Sequence, residues 1–326
     1  TENGQGVPVT VHEAYDESDE ATFVIGEIDR LVRQDRVKPG ACAVMYRVNA
    51  QSRALEEACL HQGMQYRLVG GVRFYQRKEI KDLMAYLHLL HNPSDEINLS
   101  RVISVPPRGV GAKSMQGLVQ WSHDQDMPLF AAMQRIAGAR TAGEPCPVRL
   151  PARAATSIGN FAETIDHLIQ LSSQVGIVDL IDQVVEKTGL RSHIQNSDDR
   201  PEERWENIQE LRETAREFDA EEAPNGLATL LERLSLVAEV DNYEDTDDSI
   251  TLITLHQAKG LEFPVVFIVG LEEGILPHSR SMESEDQLEE ERRLCYVGFT
   301  RAEERLYLLR AFRRGFMGSN GPTIAS

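Results

Sequence analysis

Ile253-Thr254-Leu255-His256-Gln257-Ala258-Lys259-Gly260-Leu261-Glu262-Phe263-Pro264 runs directly into the apolar segment Val265 to Val269. A β-rich run ends in a polar turn carrying His, Lys and Glu, and a second run suited to a buried strand begins at once. Two such runs joined this tightly point to an α/β layer, and parallel α/β sheets place ligand-binding groups at strand ends. The residues alone are better satisfied by a connecting loop in which His256 and Lys259 are solvated.

Working outward, Leu306 to Leu309 reads as a last strand, preceded by a helix over about Leu288 to Ala302. Toward the N-terminus strands and helices alternate. Val7 to Ala14 has period-two apolar placement (Val7, Val9, Val11), and Ser18 and Asp19 can cap a helix carrying Phe23, Ile25, Ile28 and Leu31. Pro39-Gly40 breaks the chain before the buried-strand run Ala41 to Tyr46. Gln51 to Gln62 is helical, Tyr66 to Val69 is a strand, and Arg77 to His91 is a helix with Ile80, Leu83, Met84 and Leu87 as its apolar stripe.

Between Asn92 and about Asp248 strand patterns vanish. Helix-period segments follow one another, among them Lys113 to Trp121, Arg153 to Leu171, Val178 to Thr188, Glu202 to Phe218 and Leu227 to Val237. The economical organisation is an α/β domain (1–91 and 249–326) with parallel strands, interrupted by an all-helical insertion (92–248) that ends in the acidic linker Asp241 to Asp248.

At 326 residues, 41% hydrophobic and 26% charged, the chain is ordinary for a globular protein with room for about two domains. No stretch approaches the roughly 20 apolar residues of a membrane span. The polar start, Thr1 to Gly6, carries no signal-peptide pattern and no initiator methionine, so it reads as a processed boundary. Cys42, Cys59, Cys146 and Cys295 are scattered without metal-ligand spacing and fit a reduced cytoplasm. The net charge of −18 sits mainly in local acidic runs, such as Asp16 to Glu20 and Glu283 to Glu291. It weighs against a nucleic-acid partner without excluding one, because a phosphate-binding surface needs clustered cations rather than a basic total.

A second chemical segment is Glu289-Glu290-Glu291-Arg292-Arg293-Leu294-Cys295-Tyr296-Val297-Gly298-Phe299-Thr300-Arg301-Ala302. Leu294, Val297 and Arg301 lie at helical spacing, so Arg301 emerges near the end of a packed helix, where a permanently charged planar fork can meet a phosphate. Taken alone, these residues favour a helix-end arginine placed by the macrodipole. The Glu289 to Glu291 run is best explained as a charged first helical turn. Glu79, Lys81 and Asp82 read as a solvated face with local ion pairs, and Trp121 and Trp205 as core residues. His88, His91, His167 and His193 lack partners at metal spacing, so no metal site is expected.

These two stretches, in this order and followed by a final strand, resemble motifs V and VI of superfamily 1 helicases of the UvrD/PcrA/Rep group. Ala43-Val44-Met45-Tyr46-Arg47-Val48-Asn49-Ala50-Gln51-Ser52-Arg53, the segment Gly70 to Asp82, and Pro106-Pro107-Arg108-Gly109-Val110-Gly111 match the same group, so the resemblance covers almost the whole chain. It implies a RecA-like motor domain, 2A, interrupted by the helical domain 2B. Carried over by motif, Arg301 reaches the ATP γ-phosphate, Glu262 contacts the ribose beside Gly260, Thr254 and His256 touch single-stranded DNA, and Lys259 helps hold the loop. Arg108, Gly109, Gly111, Lys113 and Ser114 hold the duplex ahead of the junction, glycines and a helix N-terminus being suited to phosphate contact.

No G-x-x-x-x-G-K-[ST] phosphate loop occurs, nor an apolar strand ending in paired acidic residues for Mg²⁺. In the family those groups lie in an upstream half, domains 1A and 1B. The expectation is one wall of an ATP site, inactive alone, from a cytoplasmic 3′–5′ DNA helicase that uses ATP and Mg²⁺. Two alternatives are the helicase portion of a helicase–nuclease, for which no nuclease centre is visible, and a DNA- or protein-docking module without motor activity.

Overall fold

The computed structural model describes residues 6–197, 199–219, 223, 225–240, 248–315 and 323–326, with side chains of the 225–240 helix described to 234. Six strands are β1 (Thr10–Ala14), β2 (Cys42–Tyr46), β3 (Tyr66–Val69), β4 (Ile250–Thr254), β5 (Phe263–Ile268) and β6 (Ala302–Ala311). They form one sheet in the order β1-β6-β5-β2-β4-β3, and every pairing is parallel. The expected α/β class is what the chain adopts. β2 and β4 are buried at every position. That is why they read as unbroken apolar runs, without the alternation of a half-exposed strand.

The helices are α1 (Glu17–Asp35), α2 (Ser52–His61), α3 (Lys78–His91), α4 (Glu96–Val102), α5 (Ala112–Asp124), α6 (Leu129–Thr141), α7 (Ala152–Ser172), α8 (Ile177–Lys187), α9 (Leu190–Gln195), α10 (Pro201–Arg216), α11 (Asn225–Val240) and α12 (Glu285–Phe299). The chain forms two compact units, Thr1–Arg77 with Val237–Ser326, and Lys78–Leu236. The acidic stretch 241–247 lies outside the described residues.

In the α/β unit, α1 and α2 cover one face of the sheet. Val24, Ile25, Ile28 and Leu31 of α1 and Leu55 and Cys59 of α2 pack on Val44, Leu252, Val265 and Phe267. On the other face Leu294 of α12, with Leu255 and Leu276, packs on Met45, Ile253, Val266 and Ile268. The cap of α1 is Asp16, whose carboxylate accepts from the Ser18 and Asp19 amides, rather than Ser18 or Asp19 themselves. Capping of this kind contributes about 1 kcal/mol. Two buried polar knots tie the unit together. Arg77 donates to Ser52 Oγ (2.8 Å) and to the Asn49 carbonyl (3.1 Å), while Glu56 accepts from Ser52 Oγ (2.6 Å), Tyr66 Oη (3.2 Å) and the Phe74 amide (3.1 Å). Arg314 pairs with both Glu20 and Glu272. Burial pushes the Glu272 carboxyl above its usual range against the opposing charge of Arg314.

In the helical unit α3 packs against α4, α7, α8 and α10. Being covered on several sides, it departs from the sequence reading twice. It belongs to the helical unit, so the division falls after Arg77 where the sequence reading placed it after His91. Its Glu79 and Asp82 are buried, not solvated. Glu79 accepts from Asn207 Nδ2 (2.6 Å) and Arg204 Nε (3.2 Å), and Asp82 pairs with Arg101 (2.7 Å). A buried carboxylate is tolerated only with such partners. Asn92-Pro93 ends α3, since the residue before proline disfavours the helical region. Trp121 and Trp205 are half-buried, the latter with Arg191 5.0 Å above its ring.

Candidate nucleotide and nucleic-acid sites

The loop 255–262 leaves the carboxyl end of β4 and delivers the chain to the amino end of β5. Because both strands are parallel members of one sheet, the loop must travel back along the full length of β5. Six residues at about 3.3 Å each make that roughly 20 Å. Thr254 and His256 therefore lie at the carboxyl edge of the sheet, and Glu262 and Arg301 at the amino edge. The strand-end rule for ligand groups covers the first pair only.

At the carboxyl edge Thr254 is the last residue of β4 and only 8% exposed, whereas His256 and Lys259 are exposed. The loop is held by its own main chain: the Gln257 and Ala258 amides donate to the Thr254 carbonyl (3.0 and 3.1 Å) and the Leu255 amide to the Tyr46 carbonyl (2.8 Å). Gln257 Nε2 adds a bond to the Gly70 carbonyl (3.1 Å) just beyond β3. Lys259, expected to help hold this loop, makes no hydrogen bond or ion pair among the described residues. Gly260 has φ +89°, a conformation an L side chain adopts only under strain, and turns the loop toward Glu262.

At the amino edge the pairing of Phe263 with Ala302 sets the residues just before each strand side by side. Arg301, two residues past the end of α12, donates from Nη1 to the Leu261 carbonyl (3.1 Å), from Nε to the Val297 carbonyl (3.0 Å) and from Nη2 to Thr300 Oγ1 (2.9 Å). Its Nη1 lies 3.9 Å from Glu262 Oε1, a loose contact with a carboxylate whose side chain is 61% exposed. The guanidinium is thus folded onto its own helix end and aimed at an exposed acid. Its contacts to Thr300 Oγ1 and Glu262 are exposed side-chain contacts, of the kind that a bound anion can replace.

α12 is placed by two contacts that sequence reasoning did not single out. A Cβ on Gly298 would stand 2.5 Å from Leu255 Cδ2 and 3.0 Å from Ile268 Cδ1, so only glycine allows the helix to press on the loop and on β5. Glu291 is buried and accepts from Arg47 Nη2 (2.7 Å) and Nε (3.0 Å), the His278 amide (3.2 Å) and Ser281 Oγ (3.3 Å). It is no part of a solvated acidic turn, unlike Glu289 and Glu290, which pair with Arg292 and Arg293. The available signal was a basic residue, Arg47, immediately after the fully buried β2.

The second expected group lies in the helical unit. Gly109 has φ +72°, and Gly111 is the N-terminal cap of α5, with its carbonyl accepting from the Ser114 amide at 2.9 Å. Lys113 is exposed, while Ser114 is buried. Arg108 turns inward. It donates to the carbonyls of Val102 (2.7 Å), Pro106 (3.0 Å) and Thr188 (3.1 Å) and to Tyr86 Oη (2.8 Å), so it shapes the loop from within. Among the described residues no group of three or more His, Cys, Asp or Glu gathers to hold a metal ion. No helix there is long and apolar enough to cross a membrane.

Three known proteins share this sequence at similar levels. The ATP-dependent DNA helicase PcrA of Bacillus subtilis is 39% identical over 325 residues, covering 98% of this chain and 43% of that protein. PcrA of Leuconostoc citreum is 39% identical with 98% and 42% covered, and PcrA of Staphylococcus aureus is 40% identical with 99% and 44% covered. The chain spans less than half the length of these relatives. The profile of the UvrD-like helicase C-terminal domain matches residues 1–311, which include both edges of the sheet, the loop between them and the helical unit, and the chain belongs to that family.

Proposed function

We propose that this chain is the C-terminal half, domains 2A and 2B, of an ATP-dependent 3′–5′ DNA helicase. In the intact protein 2A supplies one wall of the ATP site, with Arg301 meeting the γ-phosphate and Glu262 and Gly260 facing the ribose. Thr254 and His256 contact single-stranded DNA at the opposite edge of the sheet. Gly109, Gly111, Lys113 and Ser114 approach the duplex at the junction. The phosphate loop and the ligands for Mg²⁺ belong to the upstream half (1A and 1B), so this chain alone neither holds ATP firmly nor hydrolyses it. Four scattered free cysteines suit a cytoplasmic location.

The observation that carries the reading is the pairing of Arg301 with Glu262 at adjoining strand starts, in a chain about 40% identical to DNA helicases along nearly its whole length. Arginine fingers contribute about 10³ to 10⁵ in phosphoryl-transfer rate. The test is DNA-stimulated ATPase of the chain rejoined to its upstream half, wild type against Arg301→Ala. The variant should lose about a thousandfold in turnover with single-strand binding retained. Unchanged turnover overturns the assignment and favours the docking-module reading; DNA-stimulated turnover by the 326-residue chain alone overturns the half-site reading.

A further inference from the structure

The helical unit contains a cavity of about 270 Å³, lined among others by Arg108, Ser157, Asn160, Phe161, Thr164 and Lys187. Ser157, Asn160, Phe161 and Thr164 recur at helical spacing on α7, so they present one continuous wall. Lys187 closes the other side from the end of α8. Among the described residues no acidic side chain lines the space.

Two features give the cavity a positive character. Arg108 lies 5.1 Å above the Phe161 ring, and its hydrogen bonds all go to neutral carbonyls and a phenol. Among the described residues no carboxylate pairs with it. A half-buried cation partnered only by dipoles keeps its net charge, and the protein around it screens that charge less than water would. The same field reaches His193, which burial first, then the charges of Arg204, Lys78 and Arg108, hold below the usual histidine range against Asp82.

The second feature is a set of unengaged donors. Among the described residues neither the Lys187 ammonium nor the Ser157 hydroxyl has a hydrogen-bond or ion-pair partner. The Asn160 side-chain oxygen accepts from Arg140, which leaves its amide nitrogen as a donor. The dipole of α8 accounts for a cation in its last turn, but not for a hydroxyl and an amide on residues lining the same cavity. Residues that carry an ammonium, a hydroxyl and an amide thus line one cavity with a guanidinium that no carboxylate pairs among the described residues, a donor set that suits an oxyanion with several acceptor oxygens.

We propose that this cavity binds a phosphoryl group, presented either by a small phosphomonoester or by a nucleic-acid backbone. Its volume falls just short of the roughly 300 Å³ at which drug-sized sites begin, which admits a phosphate and a small body but no dinucleotide. The site is separate from Arg301 and does not depend on the ATP reading.

The test follows backbone amides 157–164 and 187–188 by ¹H–¹⁵N NMR in the full 326-residue chain, at fixed ionic strength. Three titrants are used: inorganic phosphate, a nucleoside 5′-monophosphate, and a short duplex without terminal phosphates. Arg108→Ala removes the loop's own anchor and can unfold it, so the diagnostic variant is Lys187→Glu, at an exposed side chain that has no partner among the described residues. Saturable shifts at these amides are expected, weakened roughly tenfold or more by Lys187→Glu and untouched by Arg301→Ala. Shifts with the duplex identify the backbone as the source of the phosphate, and shifts with the monophosphate alone identify a free ligand. Non-saturating or scattered shifts, affinity unchanged in Lys187→Glu, or binding lost in Arg301→Ala overturn the proposal.

Discussion

Replacing Glu291 by glutamine tests whether α12 is held to the sheet by a buried charge pair. The side chains of Arg47 and Glu291 are 19% and 7% exposed, so neither group can turn to water when the other is lost. Removing one partner of a buried pair costs about 3–5 kcal/mol. Glutamine keeps one acceptor oxygen for Arg47, the His278 amide and Ser281, which places the expectation at about 3 kcal/mol. With a urea slope of about 2–3 kcal/mol per molar, the midpoint of the α/β unit should fall by about 1–1.5 M. Trp121 and Trp205 both lie in the helical unit, so their fluorescence follows that unit. Hydrogen-exchange mass spectrometry of the β2 and β4 peptides along the urea series follows the sheet. The sheet midpoint should move and the tryptophan midpoint should not; a sheet midpoint within about 0.3 M of wild type, against an expected shift several times larger, refutes the argument. The pH dependence has a fixed sign. Burial alone raises the Glu291 carboxyl, but the hydrogen bond and charge of Arg47, with the His278 amide and Ser281, outweigh it, and the group lies below its usual range. A depressed folded pKa stabilises above the unfolded value and loses that contribution as pH falls through the folded one. The gap between wild type and Glu291→Gln should therefore be full at neutral pH and narrow below about pH 4.3.

Two further outcomes follow from packing. Gly298→Ala sets a methyl 2.5 Å from Leu255 Cδ2, so α12 must shift; the sheet midpoint should drop by an amount equivalent to about 1–3 kcal/mol, and an unchanged midpoint would contradict the close contact. Thiol labelling of the native chain at pH 8 should show one prompt equivalent, from exposed Cys146, and a slow one from Cys295. Burial pushes the Cys42 thiol up to about 12, and Cys59 is fully enclosed, so both should react only in denaturant; four prompt equivalents would contradict the core.

Buried central strands were legible in the sequence, because enclosure on both faces writes itself as an apolar run: β2, read at Ala41 to Tyr46, runs from Cys42 to Tyr46, and β3, though a partly buried edge strand, also lies where it was read, at Tyr66 to Val69. The other edge strand, β1, was less legible. The period-two row Val7, Val9 and Val11 announces a strand from Val7, yet β1 begins only at Thr10 and all three valines are exposed, since periodicity states that two faces differ and not which is covered. Helix α6 was not singled out, because alanines and a glycine dilute its apolar stripe, and no side chain caps it. The environment of α3 was misjudged for a related reason: Glu79 and Asp82 look like solvent residues until Asn207, Arg204 and Arg101 arrive from other helices. The chemical residues were named individually, but the pairing of Glu262 with Arg301 is a property of register. Nothing in either segment says that Phe263 and Ala302 will lie side by side.

The loop 255–262 has an energetic consequence. It is short, pinned by main-chain bonds at one end and by Arg301 at the other, and pressed from the side by Gly298. On the proposed assignment one end feels the DNA strand and the other the nucleotide. A change at either end then alters the free energy of the same eight-residue segment. Thermodynamic linkage makes the effect mutual: if nucleotide changes the affinity for single-stranded DNA by some factor, DNA changes the affinity for nucleotide by that same factor. On that assignment the strap would carry a coupling of typically 1–3 kcal/mol, through a segment that turns at Gly260, where φ is +89°.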